Sequence, residues 1–191
     1  MSKLHAVVLV TLFAAATPCV TAVPASAAPS NCAVLLVPSS IEASGAILAT
    51  AIDLGCYPTY AEALAAGSSG AIDVPEGTTP ASLTDAVLAA DTIATATADV
   101  LIGTEFSGIG YGGTSKSYFA TETCAVGVVW DVADVGASWD NLFSSGKGFG
   151  GCDTNKKFEN TNFGGSVLTC TPNCTNYGTL SNKVSSLRWK P

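Results

Sequence analysis

The 191-residue chain carries 15 acidic and 8 basic side chains, for a net charge of −7 at pH 7, and a single histidine. A protein of that sign repels phosphate, which argues against nucleic acid and anionic membranes as partners. Almost half of its residues (48%) are hydrophobic.

The N-terminus has the layout of a secretory signal peptide. Lys3 supplies a short positive region, Ala6 to Ala16 an apolar run, and Ala25-Ser26-Ala27 the small residues that precede a cleavage site. The apolar run is too short to span a bilayer as a permanent helix, so no stable membrane anchor is expected. Cleavage after Ala27 would remove residues 1–27 and leave a chain secreted to the extracellular space. The only histidine, His5, would leave with them, and so would Cys19. Without histidine neither Ser-His-Asp nor Cys-His catalysis can operate, and no His-containing zinc site can form. The spacing of the acidic residues does not argue for carboxylate-based hydrolysis either. The chain is therefore expected not to be an enzyme.

Residues 28–97 form an acidic, Ala-rich segment. Glu42, Asp53, Glu62, Asp73, Glu76, Asp85, Asp91 and Asp99 precede residue 101 without one Lys or Arg between them, whereas both signs balance beyond it. That shift places a boundary near Thr97. Within the segment, Ala33 to Val37 reads as a buried strand. Tyr60 to Ala66 reads as a helix capped by Thr59 and stopped at Gly67, and Pro80 to Ala90 as a second helix. Two readings stay open: a small α/β subdomain closed by Cys32 and Cys56, or a propeptide-like arm.

From Asp99 the pattern becomes β. Val100-Leu101-Ile102 leads into a Gly-rich hairpin, Ala125 to Trp130 reads as a strand, and Gly146 to Gly151 as a flexible connector. Two stretches then repeat. Phe106, Tyr111 and Gly113 recur 52 residues later as Phe158, Phe163 and Gly165. The closing run Asp140-Asn141-Leu142-Phe143-Ser144-Ser145 recurs 41 residues later as Ser181 to Ser186. Matching gapped patterns in the same order indicate one duplicated β unit whose halves bury their apolar faces against each other. The extra residues of the first copy fall between Lys116 and Ser138. The shared core is predicted to hold Phe106, Tyr111, Phe143, Phe158, Phe163, Val184 and Leu187.

Six cysteines remain beyond Ala27, an even number that in an exported chain favours disulfides. Six cysteines allow about 15 connectivities. Cys170-x3-Cys174 has no second pair of its kind, so bridges are favoured over a metal site. A hairpin bending near Thr161 would set Cys152 opposite Cys170. Sequence separation would add Cys32 with Cys56 and leave Cys124 with Cys174.

The pair of aromatic-x4-aromatic-x-Gly hairpins, each followed by an Asn/Asp-Asn/Asp-x-x-Ser/Thr-Ser loop, resembles the βγ-crystallin double Greek-key domain over residues 98–191. The first loop fits at every fixed position (Asp140, Asn141, Ser144, Ser145); the second has Ser181 where an acid or amide is expected. The resemblance implies an all-β double Greek-key β-sandwich preceded by the small α/β N-terminal segment. It also implies Ca²⁺ held between one copy's closing loop and the other copy's hairpin. By position, the first site would use Asn141, the Leu142 carbonyl, Ser144 and the Glu159 carbonyl, with Asp140 and Glu159 adding negative field. The second would use Asn182, the Lys183 carbonyl, Ser185 and Ser107. The last serine of each loop, Ser145 or Ser186, would tie down the folded hairpin with or without metal.

Calcium takes about six to eight oxygens, and so few anionic ligands imply extracellular-module affinity, about 10⁻⁴ to 10⁻³ M. The second site should be the weaker. It lacks the acid at 181, has Ser107 where the first has Glu159, and carries Lys183. A monomeric, secreted, non-enzymatic calcium-binding protein is the implied function. The same fold leaves two alternatives, an extracellular protease inhibitor acting through the loop near Glu122 to Gly136, or a secreted toxin.

Overall fold

The computed structural model describes residues 30–91 and 99–191; the expected signal peptide lies outside them. A hairpin of β1 (Asn31–Ile41) and β2 (Ile47–Tyr57) comes first, followed by α1 (Tyr60–Gly67) and α2 (Asp85–Asp91). Seven further strands follow: β3 (Val100–Phe106), β4 (Ser115–Ala120), β5 (Trp130–Val132), β6 (Ser145–Gly148), β7 (Thr154–Phe158), β8 (Val167–Cys170) and β9 (Ser186–Lys190). They form one sheet in the order β6-β3-β4-β1-β2-β5-β9-β7-β8.

The duplication is visible in the pairing. In the first copy β3 pairs antiparallel with β4 and β6; in the second β7 pairs antiparallel with β8 and β9. Each copy then lends a piece to the other. β5 of the first copy pairs with β9, and Cys174 of the second bridges to Gly146 on β6. The closing loops also cross: the Asn141 N–H donates to the Val184 carbonyl (3.1 Å) and the Asn182 N–H to the Phe143 carbonyl (2.8 Å). This interlocked arrangement is the all-β double Greek-key fold expected from the repeat.

Both hairpins fold over through a short 3-10 turn, Ile109–Tyr111 or Thr161–Phe163. Tyr111 (φ 65°) and Phe163 (φ 62°) sit in the left-handed region, a costly conformation for bulky side chains. A closing-loop serine holds each one there. Ser145 Oγ accepts from the Tyr111 N–H (3.0 Å) and donates to the Gly108 carbonyl; Ser186 Oγ does the same for Phe163 (3.0 Å) and Asn160. The last serines therefore tie down the hairpins as expected.

The N-terminal strands are inserted between the two halves of the repeat. β1 runs parallel to β4, and β2 runs parallel to β5 through Ile47 and Leu48. Val34 and Leu36 thereby join Ile102, Tyr118, Trp130, Val132, Phe143, Val184, Leu187 and Trp189 in one core. On the opposite face, Ala33, Leu101 and Phe119 pack beneath Tyr60, Leu64, Leu83 and Leu88 as a second core. Thr59 and Glu62 form a reciprocal capping box at the start of α1. Gly67 is needed at its end because a Cβ there would lie 2.0 Å from the Phe119 ring.

Several local expectations are corrected. Residues 124–126 form a 3-10 turn, and the strand begins only at Trp130. The stretch expected as a flexible connector contains β6, and only Gly150 (φ 61°) and Gly151 (φ 71°) turn the chain. The second helix starts at Asp85, not Pro80, since the Pro80 (3.0 Å) and Leu83 (2.5 Å) carbonyls turn to the ammonium of Lys147 instead. Tyr111 and Phe163 are half-buried and pack edge-on against Phe106 and Phe158 rather than filling the core.

Among the described residues three disulfides are present, Cys32–Cys56, Cys124–Cys152 and Cys170–Cys174. Only the first matches the expected scheme. The register of β7 and β8 sets Cys170 opposite Asn155, not Cys152, so the hairpin's centre falls past Thr161. Cys152 precedes β7 and meets Cys124 across the turn at Gly151, whose Cβ would lie 2.7 Å from Ala125. Among the described residues no helix is long and apolar enough to cross a membrane.

Candidate functional site

The crossing of the closing loops decides which oxygens meet. Each loop's Asn lies in the left-handed region (Asn141 φ 58°, Asn182 φ 58°), a conformation that Asn tolerates better than most residues. That turn delivers each loop's backbone to the other loop, and with it the first serine of each motif crosses over.

Ser185, from the second loop, therefore reaches the first loop. Its hydroxyl lies 2.5 Å from Asp140 Oδ1 and 2.8 Å from the Glu159 carbonyl. Ser144, from the first loop, donates to Asn182 Oδ1 (3.0 Å). The predicted grouping is rearranged accordingly: Ser185 rather than Ser144 accompanies Glu159, and Ser144 rather than Ser185 accompanies Asn182. Asn141 Nδ2 donates to Asp140 Oδ2 (2.8 Å), so the carboxylate is held from one side by its neighbour and from the other by Ser185. Leu142 and Lys183 occupy equivalent places in the two loops, their N–H groups bonded to the Trp139 (3.2 Å) and Leu180 (3.0 Å) carbonyls. The Ser107 N–H is bonded to the Thr114 carbonyl within its own hairpin (2.9 Å).

The electrostatics of the first cluster are anionic. Glu159 is partly exposed, and hydrogen bonding from the Ser166 side chain and from the Ser166 N–H (3.1 Å) holds its carboxyl below the ordinary range, with Lys183 assisting. The Lys183 charge thus acts at the first cluster, beside Glu159, as well as in its own loop. Ser185 has one proton for two acceptors, so three oxygens converge where only one hydrogen is available. That donor set suits a hard cation, which would take all three without a proton between them. Among the described residues no three His, Cys, Asp or Glu side chains gather closely enough to hold a metal alone. Any ion here would rest largely on hydroxyl and carbonyl oxygens.

Two further features escaped the sequence. Glu105 and Lys157, 52 residues apart and so equivalent in the two copies, form a fully buried ion pair, and Tyr177 donates its hydroxyl to the same carboxylate. The spacing already used for the repeat would have found it, since both residues lie on strands whose neighbours are core. Asp131 is likewise buried and bound through both oxygens by Arg188, its cross-strand partner on β9.

No family model matches the chain, and no curated protein matches it. Among solved structures the chain is similar to a βγ-crystallin from an archaeon, at 21% identity over 47% of this chain and 98% of that one, with a TM-score of 0.35. A βγ-crystallin domain from Clostridium beijerinckii is similar at 20% identity, over 47% of this chain and 97% of that one, with a TM-score of 0.36. A βγ-crystallin from Ciona intestinalis gives 21% identity, 44% and 94% coverage, and a TM-score of 0.34.

Proposed function

We propose that the chain is a secreted, disulfide-stabilised, non-enzymatic protein that binds one Ca²⁺ at the crossed closing loops. One observation carries the reading: Ser185 Oγ stands between the Asp140 carboxylate and the Glu159 carbonyl with a single proton for both. Asp140, Ser185 and the Glu159 carbonyl would hold the ion, with Asn141 and the Leu142 carbonyl completing the set that the motif implies and water filling the rest. A bound calcium ion would contribute positive charge that joins the first copy's closing loop to the second copy's hairpin. These residues serve by position: Asn141 steadies the carboxylate, and the loop crossing presents Ser185.

The second cluster, Ser144 with Asn182, has no carboxylate hydrogen-bonded to it among the described residues and is the weaker of the two. Three disulfides support an oxidising, extracellular setting. All six cysteines from residue 30 onward are bridged, which leaves no thiol nucleophile there and favours a non-enzymatic role. The test is calorimetric titration of chelator-treated protein with calcium. One binding event with a dissociation constant of about 10⁻⁴ to 10⁻³ M is expected, and its loss in Asp140→Ala. Absence of both heat and melting shift at several millimolar calcium would overturn the reading.

A further inference from the structure

A cleft of about 490 Å³ opens between the β1–β2 hairpin and residues 133–139, lined by Leu48, Ala49, Ala51 and Trp139 with Asp53, Asp134 and Lys116 among them. Its size is that of an ordinary small-molecule site. Lys116 decides what it can hold. The residue is only 6% exposed, yet its ammonium makes one hydrogen bond, to the Val135 carbonyl (2.8 Å), and lies near the rings of Tyr118 and Trp139. Among the described residues no carboxylate contacts it. An ammonium has three N–H donors, so two are without a hydrogen-bond acceptor among the described residues.

A buried charge in that condition is costly and is rarely retained without a partner. The repeat sharpens the point. The position equivalent to Lys116 in the second copy, 52 residues on, is Leu168, packed against the core. The first copy therefore keeps a cation where the fold accepts leucine, and it keeps it where the cleft opens.

The other charges set the ligand's second requirement. Asp134 Oδ1 accepts from the Gly136 N–H (2.7 Å) and Asp53 Oδ1 from the Gly55 N–H (2.8 Å), so each carboxylate is oriented through one oxygen while the other has no hydrogen bond among the described residues. Both residues are exposed at the cleft. A simple anion would meet two carboxylates, and a simple cation would meet Lys116. A molecule with both charges a few ångströms apart satisfies all three groups, and Leu48, Ala49 and Ala51 offer it an apolar wall.

We propose that this cleft binds a free zwitterionic α-amino acid, its carboxylate on Lys116, its ammonium on Asp134 and Asp53, and its side chain on the apolar wall. The site adjoins the calcium cluster, since the Val135 N–H donates to the Ser185 carbonyl (3.0 Å) and the Asp140 N–H to the Gly136 carbonyl (3.0 Å), but none of the proposed calcium ligands lines it. Saturation-transfer NMR and calorimetry on the full secreted chain, with leucine, phenylalanine and serine as probes, test the assignment. Leucine and phenylalanine should bind at least about tenfold more tightly than serine. Leucinamide, which lacks the carboxylate, and N-acetyl-leucine, which lacks the ammonium, should each bind at least tenfold more weakly than leucine. Lys116→Leu, the second copy's own residue, should abolish binding while the melting transition remains cooperative. Asp134→Asn, an exposed change that leaves the core untouched, should weaken it about tenfold. Absence of binding by all three amino acids at 10 mM, equal binding of leucine and its two blocked forms, or unchanged binding in either variant would overturn the proposal.

Discussion

In the first copy of the repeat, positions 105 and 116 are glutamate and lysine; in the second, the equivalent positions 157 and 168 are lysine and leucine. Yet both copies keep a serine at the folded hairpin, a left-handed aromatic (Tyr111 or Phe163) and the same loop crossing. The shared positions are those whose backbone geometry admits few residues. The divergent ones lie where the halves face each other or face a cleft. Where a twofold repeat folds on itself, a residue near its axis meets its own counterpart. Two glutamates or two lysines would then oppose like charges in a dry interior, which is untenable. Glu105 with Lys157 resolves that conflict by complementing instead of copying.

The largest expected effect comes from breaking that complement. Lys157 is fully buried, and its own pKa is pushed down by desolvation against the opposing pull of Glu105. Lys157→Met leaves the Glu105 carboxylate buried with only the Tyr177 hydroxyl, and should destabilise the fold by about 3–5 kcal/mol. Glu105→Leu combined with Lys157→Met removes both charges and should recover much of that loss. Recovery should stop short of the original stability because the Tyr177 hydroxyl loses its acceptor, a penalty of about 1–3 kcal/mol. Urea unfolding of the single and double variants measures this. A single substitution no worse than the double would mean the pair is not coupled.

Lys116 is the next lever, since its second-copy counterpart is already apolar. Burial outweighs the attraction of Asp53 and Asp134 and lowers its pKa from 10.5 to about 8. The folded-state value lies below the unfolded one, so the charged form penalises the fold. That penalty is complete below pH 8 and fades as pH rises from about 8 to 10.5. Lys116→Leu should therefore be more stable than the natural protein at pH 7, by roughly 2–3 kcal/mol. The gap should narrow steadily across that pH window. Melting curves at pH 7, 8, 9 and 10 check the sign, and a gap that widens with pH would refute it.

How far the sequence reached follows the same division. The hairpins and closing loops were legible because their constraints are local: an aromatic at positive φ, a glycine beside it, and a serine to bond the turn. The N-cap at Thr59 was legible for the same reason, though its reciprocal partner Glu62 was not read from the sequence. Pairing between distant segments was not. β1 and β2 carry no mark of lying parallel to β4 and β5, because such pairing involves backbone groups alone. A small shift in the assumed centre of the second hairpin reassigned two disulfides. The exchange of Ser144 and Ser185 between clusters needed the loop crossing, which exists only once both copies have folded together.

That exchange makes the smallest effect the most discriminating. The two clusters differ chiefly at the first loop position, Asp140 against Ser181, and at the hairpin, Glu159 against Ser107. If the carboxylate at the first position decides occupancy, Ser181→Asp should add a second calcium event by meeting the Ser144 hydroxyl as Asp140 meets Ser185. Among the described residues the Ser181 side chain bonds Asn176 alone (3.2 Å), an exposed contact whose loss should cost little. At calcium ten times the new site's dissociation constant, the variant should gain about 1.4 kcal/mol of stability. Calorimetric stoichiometry should rise from one ion to two. A stoichiometry that stays at one would assign the difference between the copies to Glu159, and Glu159→Ser would then weaken the first site to match the second.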